Sequence, residues 1–205
     1  ILEHWKANMK LLREYIRELL TEAALGINDL VNNDFYVKIH HGGHYISFSL
    51  SDKDGKTISA PESQRQWLDY YGEVSIYPPD DFHGHCANAY MVGSSEAMKG
   101  WGPLLYDVAM EYSTMHGGGL MADREMVSGE AKRVWNYYLK SRSDVTTHQL
   151  DNLEDELTPG YKPDNCLQNS MEEYEEDIQD SSLSKRYTKE PTVMTALRKA
   201  GRIIE

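Results

Sequence analysis

Residues 99–113, KGWGPLLYDVAMEYS, constrain this chain more than any other stretch. Gly100 and Gly102 straddle Trp101, and Pro103 follows at once. Leu104, Leu105, Val108, Ala109 and Tyr112 then recur at helical spacing, the mark of one buried stripe. Pro at the first helical position gives up an N–H that has no intrahelical partner, and its fixed φ suits the helix. Glycines just before a helix let backbone amides approach an anion where the peptide dipoles favour negative charge. Lys99, Gly100, Trp101, Gly102, Leu104 and Leu105 are therefore candidate anion-binding residues, although a plain turn into a helix has the same local pattern. The motif is not a dinucleotide fingerprint, which needs a third glycine, nor a P-loop, which needs Gly-Lys-Ser/Thr.

The surroundings read as alternating elements. Residues 2–25 carry a helical apolar stripe from Leu2 and Trp5 to Leu20 and Ala23. FYVKIHHGGHYISFSL alternates about Gly42-Gly43 and predicts a β-hairpin, with a turn at SDKDGK and a short strand near Thr57 to Ser59. Residues 61–73 fit a short helix or a loop, and VSIY is a strand ended by Pro78-Pro79. CANAYMVG predicts a buried strand before the glycine loop. GGGLMADR predicts a helix C-cap and a second strand, in which Asp123 and Arg124 either meet a ligand or pair with each other. SGEAKRVWNYYLKSR is a helix with Ala131, Val134, Trp135, Tyr138 and Leu139 on one face, and DVTTHQLD is expected to be the last strand. The order strand, loop, helix, strand, helix, strand predicts a βαβ unit. The fold class is thus α/β, a mixed central sheet flanked by helices.

From residue 151 the composition turns acidic, with EEYEED, and apolar periodicity fades until TVMTALRKAGRIIE. That predicts three parts: an N-terminal helix over 1–33, the α/β domain over 34–150, and a mostly extended acidic tail over 151–205 with a short terminal helix.

Of the 205 residues 40% are hydrophobic and 26% charged, enough for a real core. A net charge of −12 argues against non-specific nucleic-acid binding and suits a cationic partner. No apolar run has the length of a membrane span, and the first residue, Ile1, suits a processed chain or a piece of a longer one. Cys86 and Cys166 form no C-x-x-C motif, so neither a disulfide framework nor a zinc knuckle is expected, and the context reads as reducing and intracellular. A zinc set of His83, His85, Cys86 and one of the hairpin histidines (His40, His41, His44) is awkward, because 85 and 86 in a strand point to opposite faces. No metal is expected.

The run GWGPLLYDVAMEY…GGGLMADR…VSGEAKRVWNYY resembles the core of the GNAT acyltransferase superfamily, and most of all its divergent bacteriophage-encoded members. The resemblance covers about residues 84–150. It implies that the turn Gly100-Trp101-Gly102 holds the pyrophosphate of acetyl-coenzyme A. It implies too that the splayed strand Ala89, Tyr90, Met91 and Val92 offers amides to the thioester, and that Ser128 opens the helix beside the pantetheine arm. Three positions depart from the family: Ala97 stands for an Arg or Gln, Ser128 for an Asn, and Trp135 for the Tyr that protonates the thiolate. Tyr137 and Tyr138, nearby on the same helix, are the substitutes.

Acyl transfer to an amine also needs a base, for which His83, His85 and Glu96 are candidates near the same strand. The implied function is an acetyl-CoA-dependent N-acyltransferase with an unknown amine acceptor, located in the host cytoplasm or with the virion. The alternative is a non-catalytic phage structural or host-interaction protein that engages partners through its acidic tail. The terminal GRIIE, similar to sites cut by phage head proteases, fits that alternative.

Overall fold

The computed structural model describes residues 25–65, 68–80, 85–154, 157–173 and 177–205. The expected helix over 2–25, His83 and Trp67 lie outside the described residues. After a short helix α1 (Ile27–Asn32), the alternating segment forms the hairpin β1 (Tyr36–His41) and β2 (Ile46–Ser51). Val37 and Ile39 of β1, and Ile46, Phe48 and Leu50 of β2, are buried. β3 (Gly72–Tyr77) and β4 (Tyr90–Ala97) continue the antiparallel meander. Among the described residues of 61–73 a 3-10 turn, Glu62–Gln64, precedes β3, and Thr57 and Ser59 make only isolated bridges.

The glycine loop leads into α2 (Gly102–His116), as its spacing predicts. Then come β5 (Leu120–Met121), α3 (Gly129–Ser141), β6 (Val145–Gln149), α4 (Ser170–Glu173), β7 (Lys185–Lys189), α5 (Thr192–Lys199) and β8 (Ile203–Ile204). Among the described residues eight strands form one mixed sheet in the order β6-β7-β5-β4-β3-β2-β1-β8. β4/β5 and β1/β8 are parallel and the other neighbours antiparallel. Every residue of α2 from Leu104 to Ser113 is buried, so this helix is the centre of the core rather than a surface element.

Two expectations are corrected here. The segment after residue 150 is not an extended tail. β7 inserts between β5 and β6, and β8 extends the other edge beside β1, so DVTTHQLD is not the last strand. The reason is chemical: KRYTK places Tyr187 fully in the core and buries Lys185 and Lys189 by giving each a partner. Lys189 meets Glu111 and Lys185 meets Gln149. A strand whose inward positions are lysines has no apolar alternation to read. The path toward β7 is held from beneath by Arg124, which donates to the carbonyls of Leu167 (3.1 Å), Leu183 (3.0 Å) and Cys166 (3.0 Å). Gln168 adds bonds to the carbonyls of Asp123 and Leu183.

The cysteines are the second correction. Cys86 and Cys166 form a disulfide, with Cα atoms 5.6 Å apart and a sequence separation of 80. The expectation of unpaired thiols fails because the fold, not local spacing, brings the two loops together. Cys86 begins a 3-10 turn, Cys86–Asn88, where a strand is expected; Ala87 and Asn88 have positive φ, and β4 starts only at Tyr90. Among the described residues no helix is long and apolar enough to cross a membrane.

Candidate functional site

The parallel ladder between β4 and β5 spans only two residue pairs, Tyr90 with Leu120 and Met91 with Met121. β5 then stops, while β4 runs on to Ala97 with β3 as its partner. From Val92 the two strands part, and the chain after β5 passes through Ala122–Ser128 into α3. The wedge left between them is a cleft of about 410 Å³ lined by Val92, Gly93, Ser94 and Ser95 on one side. Asp123, Met126, Val127, Ser128, Ala131 and Trp135 form the other side, and Tyr106 of α2 the third wall. Its volume falls in the range of small-molecule sites.

Local chemistry shapes each wall. In β4 the register slips at Gly93, so that Ser75 faces Ser94 while Ile76 faces Val92. Such a bulge bends the strand and takes one residue out of the ladder. A Cβ at Gly93 would stand 2.2 Å from the Tyr77 ring, so a larger residue there displaces that ring. The opposite wall is set by Asp123, whose Oδ1 accepts from the amides of Glu125 (2.7 Å) and Met126 (2.9 Å). Ser128 is the N-cap of α3, its hydroxyl accepting from Ala131 N at 3.2 Å. Asp123 therefore shapes its own turn, while buried Arg124 holds loop carbonyls and is pushed down to about 10 by burial against the pull of Asp123.

Tyr106 brings a hydroxyl into the cleft. It lies 2.9 Å from Ser95 Oγ, and its ring meets Trp135 edge-on at 5.9 Å. Trp135 in turn stacks on Tyr187 at 5.2 Å, so a strand distant in sequence supports the aromatic wall. Burial raises the Tyr106 phenol above its ordinary value while the Ser95 bond opposes it, so the group is a protonated donor at neutral pH.

The sequence-predicted residues are distributed unevenly about this cleft. Val92 and Ser128 line it. Ala89 lies before β4, Tyr90 pairs with β5, and Met91 has strands on both sides, so the open stretch of strand is Val92–Ser95 rather than Ala89–Val92. Lys99 is exposed, while Gly100 has φ +90° and its carbonyl accepts from Leu25 N at 3.0 Å. Trp101, Leu104 and Leu105 are buried in the core. The first bond of α2 runs from Leu105 N to Trp101 O, which leaves the Gly102 and Leu104 amides ahead of the intrahelical ladder. None of Lys99, Gly100, Trp101, Gly102, Leu104 and Leu105 lines the cleft; Tyr106 is the residue of α2 that does.

The catalytic candidates fare differently. Tyr138 is buried and donates to Asp107 Oδ1 at 2.9 Å. Burial first, and then Asp107, drives its phenol well above the ordinary value. Tyr137 is 37% exposed and does not line the cleft. Glu96 sits directly across from Glu73 and accepts from Tyr70 N at 3.1 Å. Burial is the main cause that raises the Glu73 carboxyl, with Glu96 adding to it against Ser75 and His40. His85 is exposed beside the disulfide, outside the cleft lining.

Tyr106, Ser94 and Ser95 are cleft residues that sequence reasoning did not single out, whereas Asp123, expected either to meet a ligand or to pair with Arg124, lines the cleft. Comparison of the chain with protein-family profiles, curated proteins and solved structures finds no match.

Proposed function

We propose that this chain is an acetyl-CoA-dependent N-acyltransferase of GNAT-like type acting on an amine. The observation that carries the reading is the cleft opened where β5 stops and β4 continues, walled by the first turn of α3. A bulged strand with Gly93 and the Ser128-capped N-terminus of α3 suit a long anionic ligand whose thioester end enters the cleft. The succession of strand, glycine turn, helix, parallel strand and Ser128-capped helix agrees with the superfamily pattern. In this reading Tyr106, which lines the cleft 2.9 Å from Ser95 Oγ, meets the leaving thiolate in place of Tyr137 or Tyr138. The negative charge of the chain suits a cationic amine acceptor.

Calorimetric titration with acetyl-CoA tests this reading. Gly102→Asp is the informative variant, because a Cβ there comes no closer than 3.9 Å to Ala97, whereas Gly100 at φ +90° strains any side chain. Saturable binding weakened at least tenfold by Gly102→Asp is the expected result. A flat titration at millimolar ligand would remove the proposal.

A non-catalytic binding module is the second reading. It is favoured by the engagement of Tyr138 with Asp107 and by Trp135 at the position expected of the acid. Binding of acetyl-CoA without thioester release in the presence of polyamine and peptide acceptors would select it.

A further inference from the structure

The loop between β6 and α4 closes on itself. Asp151 bridges to Asn165, and its amide donates to Asp164 O at 2.8 Å. Asp151 is 1% exposed, and its Oδ2 accepts from Thr158 N (2.7 Å) and the Thr158 hydroxyl (2.6 Å). The same hydroxyl lies 2.9 Å from Asp164 Oδ2. One hydroxyl carries one proton, so it serves only one of the two carboxylates. Asp151 Oδ1, Asp164 Oδ1 and Asn165 Oδ1 are buried and accept no hydrogen bond among the described residues. Arg186 is within electrostatic reach of Asp164, yet its guanidinium donates to Gly118 O.

This cluster holds more lone pairs than protons, with Asp151 withdrawn from water, Asp164 and Asn165 half-buried and Thr158 at the surface. Buried oxygens without partners are costly, and two adjacent carboxylates repel. Burial pushes the Asp151 carboxyl up, but hydrogen bonds from Thr158 and Leu157, with Asp164 adjoining, bring it below the ordinary range. A cation removes both costs at once. We propose that Asp151, Thr158, Asp164 and Asn165 form a binding site for a calcium ion. The donors are all oxygens, which selects a hard cation. Among the described residues no three His, Cys, Asp or Glu side chains converge on a metal position, so a hydroxyl, an amide and water must complete the shell. Calcium accepts such an irregular set of six to eight oxygens, whereas magnesium demands a near-ideal octahedron. With two carboxylates the affinity falls at about 10⁻⁴–10⁻³ M. The ion would fasten the loop that carries Cys166, whose carbonyl holds Arg124 beside the cleft.

Thermal unfolding of the chelator-treated full chain with calcium chloride or magnesium chloride tests the site. Calcium at roughly ten times its Kd is expected to raise Tm by about 3–6 °C, with a smaller effect of magnesium. Asp164→Asn and Asn165→Ala each should lose most of that shift while keeping the calcium-free Tm and far-UV spectrum; Asn165→Ala deletes only an amide and guards against misfolding. No shift and no calorimetric heat with calcium at about 10 mM, well above the expected Kd, overturn the site and leave a proton shared by Asp151 and Asp164. A shift undiminished in both variants overturns it as well.

Discussion

Lys189 of β7 donates to Glu111 of α2, and both side chains are withdrawn from water, at 3% and 0% exposure. Glu111 also accepts from the amides of Val193 (2.9 Å) and Met194 (2.7 Å), which caps the first turn of α5. One carboxylate thus ties the central helix, a central strand and the last helix together.

Removing that carboxylate should be severe. Glu111→Ala leaves the Val193 and Met194 amides without an acceptor and takes the carboxylate from the buried Lys189 ammonium, which keeps the Thr192 hydroxyl at 2.9 Å, at a cost of about 3–5 kcal/mol. Tm should fall by on the order of 10 °C. The double change Glu111→Leu with Lys189→Met should recover part of the loss but not all of it, since the α5 amides stay uncapped. Full recovery in denaturant titration would show that capping contributes little.

Arg124 should tolerate no substitute. Lysine keeps the charge but not the planar fork that reaches three carbonyls at once. Arg124→Lys is expected to cost about 2–3 kcal/mol and to raise amide exchange in residues 166–168. Unchanged exchange there would show that Gln168 suffices to hold the segment.

The disulfide closes a long loop. On the chain-entropy account, breaking a bridge across 80 residues costs about 4 kcal/mol. Reduction with a dithiol, or Cys86→Ser with Cys166→Ser, should lower the denaturant midpoint by a matching amount. The double variant should no longer respond to the dithiol. A reduced protein as stable as the oxidised one would contradict this.

His148 of β6 makes stability fall with acid. Burial, and then Arg186 across the ladder, lowers its folded value below the ordinary 6.5. The unfolded chain therefore takes up a proton before the folded one does. The contribution is complete above about 6.5 and is lost as pH falls through the lowered folded value. His148→Gln should flatten the Tm profile across that window, and an unaltered profile would assign the pH dependence elsewhere.

At the cleft, Tyr106→Phe removes one hydroxyl and keeps the ring against Trp135. Stability should change by about 1 kcal/mol. If the acyltransferase reading holds, turnover should fall roughly 10²-fold while acetyl-CoA affinity stays within a factor of about 3. A parallel loss of affinity would make Tyr106 a binding residue only.

The hairpin, the glycine loop with α2, and the α3 helix were legible because each carries its periodicity in its own residues. Val37 and Ile39 alternate with polar neighbours, and Trp135 and Tyr138 fall three residues apart. β7 was not legible, since Lys185 and Lys189 become inward residues only when Gln149 and Glu111 arrive from other elements. The disulfide was hidden for the same reason. At the cleft, Ser128 and Val92 were named only through the family resemblance, whereas Tyr106 and Ser95 meet only through the crossing of α2 over β4.

The position of β7 also has a consequence for how the chain is made. β5 and β6 flank it, yet both are translated well before residues 185–189 emerge. Until then β5 presents an unpaired edge and Tyr187 is missing behind Trp135. Closure waits on pairing between distant segments, a slow class of folding event that leaves strand edges open to other chains. A nascent chain paused near residue 150 is thus a half-built sheet in need of shelter, and premature release there should yield aggregates rather than a smaller working domain.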